Sequence, residues 1–292
     1  MKKIGVIAHS DKTFGGGLKE LRTTLASAGY ADPIWYEVKK SNRARKAIRK
    51  ALHQGVELLF IWGGDGMVQQ CIDALQGHDV ALAILPAGTG NLFATDLGIP
   101  KDIAKAVEIG LKGKRRKLDV GVVNGERFVV MTGTGFDATM IADTSRRAKQ
   151  EIGRLAYVRS SVKAMQAKSV GMSIRVDGSM WFKGKASCVL IGNIGKATGG
   201  IQVFEDASPA DGVLNVGVVT SKNVWEWAQV FLRIATDTKG TSPLLQRATA
   251  RKITVRLQRK RRYEVDGGVR PATKKLKIRI RAKAITVMSS RA

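Results

Sequence analysis

Residues 60–70 read FIWGGDGMVQQ, and the chemistry this stretch can do rests on Gly63, Gly64, Asp65 and Gly66. Glycines let a backbone approach a ligand closely and turn its amides toward phosphate oxygens. An acid among them repels a bare phosphate but suits a Mg²⁺ ion that bridges phosphates. A second glycine turn lies in LPAGTGNLFATDLGIP, residues 85–100, where Gly88, Thr89 and Gly90 offer amides and a hydroxyl ahead of a helical pattern. A helix N-terminus favours an anion, so the two loops read as parts of one phosphate site. A plain tight turn with one solvated acid is the competing reading of either loop alone. It does not explain two such loops, each following an apolar run.

Other patterns carry less. GTGFDA (133–138) fits a Gly-x-Gly-x-x-Ala fingerprint, but no helix with a suitably spaced acid follows it, so it is not read as a dinucleotide site. Cys71 and Cys188 have neither a CxxC nor a His-rich partner, which argues against zinc or a disulfide framework and for a reducing compartment. Cys71 sits in an apolar helical pattern and reads as core.

The elements that must position the loops alternate. Apolar runs at 3–9, 32–39, 56–62 and 80–87 are each followed by a helical pattern, including Leu18, Leu21 and Leu25 at helical spacing and the basic amphipathic stretch 41–55. This alternation predicts an α/β domain with a parallel sheet, whose ligands sit at the carboxyl ends of the strands. Both glycine loops fall at such ends and are expected to face one crevice. Beyond about residue 125 the pattern changes to short, turn-punctuated alternating strands, joined by a long helix at 144–168 and a shorter one at 223–237. The expected boundaries are 1–125 for the α/β domain and 126–274 for a β-rich second domain.

Lys and Arg number 50 against 24 acids, a net charge of +26, with +7 carried by residues 1–125 and +19 by 126–292. Such a field draws polyanions, either nucleic acid or an anionic membrane face. Nucleic acid is disfavoured, because helix-turn-helix, zinc-finger and aromatic stacking signals are missing. No run is long and apolar enough for a membrane helix, and MKKIGVIAHSDK reads as a first strand rather than a leader. The basic runs are KGKRRK (112–117), SRRAK (145–149), RKRR (259–262) and KKLKIRIRAK (274–283). In the last, Lys275, Lys277, Arg279, Arg281 and Lys283 alternate with apolar residues, giving one basic and one apolar strand face. A solvated surface is the ordinary reading of such runs; docking on anionic lipid is the functional one. Trp225, Trp227 and Phe231 on the 223–237 helix offer either core packing or interfacial insertion.

The order and spacing of GGDG (63–66), LPAGTGN (85–91), RRKLDVGVVNG (115–125), GTGFDA (133–138), GGIQVFEDASPADGVLNV (199–216) and VDGG (265–268) resemble the diacylglycerol kinase catalytic-domain superfamily across nearly the whole chain. That superfamily includes bacterial diacylglycerol kinases and sphingosine kinase-like lipid kinases, with NAD kinases more distant. The resemblance implies an α/β nucleotide-binding domain of NAD kinase/diacylglycerol kinase-like fold plus a β-rich second domain, with residues from about 275 to 292 returning to the first. It implies transfer of the ATP γ-phosphoryl group, with Mg²⁺, to a membrane lipid hydroxyl, and diacylglycerol yielding phosphatidic acid is the leading case. A sphingoid base or other lipid alcohol as acceptor, or a catalytically weak nucleotide- or lipid-binding relative, stays open. The implied setting is cytoplasmic and peripheral to the inner membrane face, without nucleic acid; the oligomeric state is open, a homodimer included.

By this resemblance Asp65 and Asp119 belong to the acidic network around Mg²⁺, and Asp211 matches an accessory metal loop or else a plain Asp-Gly turn. Gly63, Gly64, Gly66, Gly88, Thr89 and Asn91 cradle phosphates and ribose. Asp266 matches the general base for the acceptor hydroxyl, with Asp65 also catalytic. Three positions depart from the family pattern. Met67 replaces a threonine, Leu92 an aspartate and Gly268 a glutamate. Asp96, one helical turn beyond Leu92, is expected to restore an acid on the same face.

Overall fold

The computed structural model describes residues 2–135, 169–196, 202–221, 226 and 244–290. The helix read at 144–168, with its SRRAK run, lies outside them. So do residues 136–138 of GTGFDA and, apart from Glu226, the helix read at 223–237 with Trp225, Trp227 and Phe231. The chain divides into two compact units, Met1–Val120 with Arg281–Ala292, and Gly121–Ile280.

The first unit is built from β1 (Ile4–His9), α1 (Gly17–Ser27), β2 (Ile34–Val38), α2 (Ala44–His53), β3 (Leu58–Gly63), α3 (Asp65–Ala74), β4 (Ala81–Pro86), α4 (Leu92–Asp96) and α5 (Ile103–Lys112). The strands run parallel in the order β2-β1-β3-β4. Every residue of β3 and β4 is buried, which is why both read as continuous apolar runs. Helix α2 turns Ala44, Ala47, Ile48 and Ala51 inward, the spacing of one helical face. Helix α5 was not anticipated, although Asp102 caps it by accepting from Lys105 N at 2.8 Å and Gly113 follows its end.

The remaining strands are β5 (Lys114–Val123), β6 (Glu126–Phe128), β7 (Met131–Thr134), β8 (Val170–Val176), β9 (Ser179–Ala186), β10 (Cys188–Gly192), β11 (Leu214–Val219), β12 (Leu245–Ala250), β13 (Lys252–Val265) and β14 (Gly268–Ser289). In the second unit β12-β11-β10-β7-β13-β14 is an antiparallel path, and β9 joins it through β8 at β13. Phe128, Ile174, Val216, Val255 and Leu276 lie in its core. Gly133 and Gly135 serve this sheet: a β-carbon on Gly135 would stand 1.9 Å from Ser187 O, and one on Gly133 2.4 Å from Val189 O. That close strand approach accounts for the spacing that mimics a dinucleotide fingerprint.

β14 leaves the second unit and ends in the first, where Thr286 and Val287 pair with Ala81 and Leu82 of β4. Val287 and Met288 are buried there, and Ser289 Oγ donates to Leu97 O at 3.1 Å. No helix among the described residues is long and apolar enough to cross a membrane.

Candidate active site

In the first unit the register Gly63↔Pro86 brings the carboxyl ends of β3 and β4 side by side, so the loops that follow must meet. They meet backbone to backbone. A β-carbon on Gly88 would stand 2.4 Å from Gly64 Cα, and one on Gly64 would stand 3.0 Å from Gly88 Cα. Ala87 N donates to Gly63 O at 3.1 Å across the same junction. Asn91, at φ 50°, staples the second loop. Its Oδ1 accepts from Gly88 N at 2.9 Å, and its Nδ2 donates to Gly88 O at 2.8 Å and to Pro86 O at 3.1 Å. The asparagine therefore shapes the loop from within, while Thr89 and Gly90 form its exposed rim and Gly66 is exposed at the start of α3.

Asp65 opens α3 and ties the two loops together. One oxygen accepts from Leu92 N and the other from Phe93 N, each at 3.0 Å. The first amides of α4, expected to face an anion, are thus turned onto the Asp65 carboxylate, and α4 is a single short turn of five residues. Burial pushes the Asp65 carboxyl above its ordinary value, and the Phe93 and Leu92 N–H groups draw it partly back.

Met67 does not stand among the loop amides. Its side chain is 1 % exposed and packs over Gly63, where a β-carbon would come within 2.6 Å of Met67 Cβ. Gly63 therefore leaves room for a side chain at position 67. Asp119, on β5, is buried and accepts from Lys283 N at 2.7 Å, fixing Lys283 at φ 51° where β14 enters this unit.

In the second unit, the turn between β13 and β14 holds Asp266 at φ 45°. Its carboxylate sits in a cradle of three consecutive amides. Oδ2 accepts from Val129 N at 2.9 Å, and Oδ1 accepts from Val130 N at 2.9 Å and Met131 N at 3.0 Å. The cradle is braced from behind, since Asn193 donates from Nδ2 to Val129 O at 3.1 Å and from its backbone N to Val130 O at 2.9 Å. Beside it, Gly268 leaves room for Arg270: a β-carbon there would stand 2.6 Å from Arg270 Nη1. Arg270 makes a bidentate pair with Glu126, Nε donating at 2.7 Å and Nη2 to the other oxygen. That pairing raises the guanidinium pKa further. Sequence reasoning missed this pair; the only signal was the glycine itself.

Asp211 accepts from Ser208 N at 3.2 Å and Val213 N at 3.0 Å, the geometry of an Asp-Gly turn. Among the described residues no three His, Cys, Asp or Glu side chains converge as around a fully protein-ligated ion. Asp65 still fits Mg²⁺, which takes one or two carboxylates and fills its shell with water and phosphate oxygens. A half-buried carboxyl whose ionisation burial opposes is one that a cation would favour.

An α/β unit with paired glycine loops at adjacent strand ends, in a chain that also carries a β-rich unit, suits a phosphate-handling protein. Residues 6–123 match the diacylglycerol kinase catalytic domain, and residues 129–289 match the YegS C-terminal NAD kinase beta sandwich-like domain. The chain belongs to this family of diacylglycerol kinase-like lipid kinases, and it is a kinase. It is 33 % identical over 185 residues to a Klebsiella pneumoniae protein named "Probable lipid kinase YegS-like", a match spanning 62 % of each chain. A diacylglycerol kinase of Staphylococcus carnosus is 27 % identical over 73 % of this chain and 70 % of its own length. The crystal structure of a Bacillus anthracis diacylglycerol kinase superposes with a TM-score of 0.76 at 22 % identity, covering 99 % of this chain and 97 % of that one.

Proposed function

We propose that the chain transfers the γ-phosphoryl group of ATP to the hydroxyl of a membrane lipid, with diacylglycerol as acceptor and phosphatidic acid as product. The observation that carries the reading is the Gly64–Gly88 contact, which packs two amide-rich loops against one another at adjacent strand ends. Phosphoryl transfer asks mainly for positioning and charge neutralisation, which rigid, closely apposed amides supply. Gly63, Gly64, Gly66, Gly88 and Thr89 are the proposed phosphate contacts, and Asn91 holds their geometry.

In the proposed reaction the acceptor oxygen forms a bond to the γ-phosphorus while the bond from phosphorus to the bridging oxygen breaks, leaving ADP. Asp266 takes the hydroxyl proton, oriented by its amide cradle. Mg²⁺ would be held by Asp65 and would supply neutralisation of the charge on the phosphate oxygens. The amides of Leu92 and Phe93 keep the Asp65 carboxylate in place for that role. Asp119 and Asp211 are proposed as further acids of the Mg²⁺ network, Asp211 within an Asp-Gly turn. The test is labelled ATP offered with diacylglycerol, monoacylglycerol, ceramide and a sphingoid base in mixed micelles. Label in phosphatidic acid supports the reading; label only in another lipid moves the acceptor assignment, and label in none overturns it.

A further inference from the structure

The sheet of the second unit carries a basic face that the proposed reaction does not use. Side chains directly opposite one another across β9, β8, β13 and β14 fall in rows: Lys183, Ser173, Arg256 and Lys275 in one, and Met180, Arg175, Thr254 and Lys277 in the next. Lys252 stands opposite Arg279 in a third. The intervening residues Ile174, Ile253, Val255, Leu276 and Ile278 are buried beneath, so these rows form the outward face. Like charges directly opposite in a sheet destabilise it. Here Arg256 faces Lys275 with no acid on their row among the described residues, and Lys252 faces Arg279 in the row that ends at Asp177. The acid at its margin, Asp177, accepts from the backbone N of Arg251 and Lys252.

A surface that sets cation against cation is stabilised by an extended anion laid across it. Two features select which anion. Met180 is 49 % exposed and shares its row with Arg175, placing an unbranched apolar side chain on the charged face. No aromatic stacking platform stands in these rows, as single-stranded nucleic acid would want. Cations around an exposed methionine suit the headgroup–acyl boundary of a bilayer.

We propose that the outward face of β9-β8-β13-β14 is the surface by which this protein docks on anionic lipid bilayers. The proposal rests on the lipid-kinase reading for its biological sense, but its test is a binding measurement that needs no turnover. The full chain is sedimented with phosphatidylcholine vesicles with and without phosphatidylglycerol, at low and high salt. Binding is expected only with phosphatidylglycerol, and salt is expected to release it. The Arg256→Gln/Lys275→Gln variant is expected to lose about 25-fold in partitioning, roughly fivefold for each cation removed near the surface. Removing this like-charge pair should leave the melting temperature unchanged or raised, so misfolding is separable. Met180→Ser is expected to weaken vesicle binding while leaving retention on heparin unchanged. Unaltered vesicle binding by the double variant overturns the proposal. So does duplex DNA binding that exceeds vesicle binding at equal salt and disappears in the same variant.

Discussion

Gly64 lies so close to Gly88 that position 88 cannot carry a side chain: the β-carbon of an alanine there would stand 2.4 Å from Gly64 Cα and 2.7 Å from Asn91 Oδ1. Backbone cannot yield as a flexible side-chain end can, so Gly88→Ala is expected to cost about 1–3 kcal/mol of stability. It should also weaken ATP binding by on the order of tenfold, about 1.4 kcal/mol. Gly66 gives the contrast, since nothing lies within 4 Å of a β-carbon there and it sits in α3. Gly66→Ala should stabilise the fold by about 0.4–1 kcal/mol. If it also lowers ATP affinity, as calorimetry would read directly, Gly66 is a point of close approach to phosphate.

Reintroducing the family threonine at Met67 should not improve the enzyme. Met67 is buried over Gly63, so Met67→Thr removes core volume and buries a hydroxyl, for an expected loss of about 2–5 kcal/mol in chemical denaturation. A variant of wild-type stability with a raised turnover number would contradict this placement. Asp96 is the other position bearing on the departures. Asp96→Ala that keeps full activity and Mg²⁺ dependence would remove it from the site.

Asp266 is expected to show a double effect. In Asp266→Asn either orientation of the amide aims an N–H₂ at a backbone N–H of residues 129–131, leaving a cradle donor unpaired at a cost of about 1–3 kcal/mol. Loss of a general base lowers turnover by roughly 10²–10⁴-fold. Both effects should appear while the KM for ATP stays put, because the nucleotide loops belong to the other unit. A variant destabilised but fully active would make Asp266 a structural turn residue only.

Cys71 and Cys188 are predicted to be inert in the native protein. Both are buried, and desolvation pushes the Cys188 thiol up to about 12 and Cys71 further still. The native state therefore keeps both protonated, whereas the unfolded thiols ionise around their ordinary value of 9.0. Their contribution to stability is complete below that pH and is lost as the pH rises through the native values. Iodoacetamide at about pH 8 should label neither until denaturant is added; rapid labelling of the folded chain would contradict the burial.

The glycine loops and the parallel sheet were legible because their physics is local. Continuous apolar runs mean strands buried on both faces, and glycines at their ends mean close approach. What the side chains of those loops do was not legible. Asn91 staples its own loop because it adopts φ 50°, and Asp65 points at the α4 amides because of a fold-wide register. The β-rich half was read as short pieces. Residues 252–265 form one long strand, β13, whose register shifts between Arg256 and Tyr263 break the alternation that would have shown it as one. β12 was missed because LQRATA turns only Ala250 fully inward. Arg270 and Glu126 are 144 residues apart in sequence, and only the fold pairs them.

The central claim is that the paired glycine loops hold ATP for transfer to a lipid hydroxyl. The most direct measurement is transfer of label from γ-labelled ATP to diacylglycerol in mixed micelles, run with wild type, Asp65→Ala and Gly88→Ala beside a direct ATP-binding assay. Wild type is expected to form labelled phosphatidic acid only with a divalent cation, and both variants to lose that product. Label in no lipid from a wild-type protein that binds ATP, or full transfer by Gly88→Ala, would contradict the account.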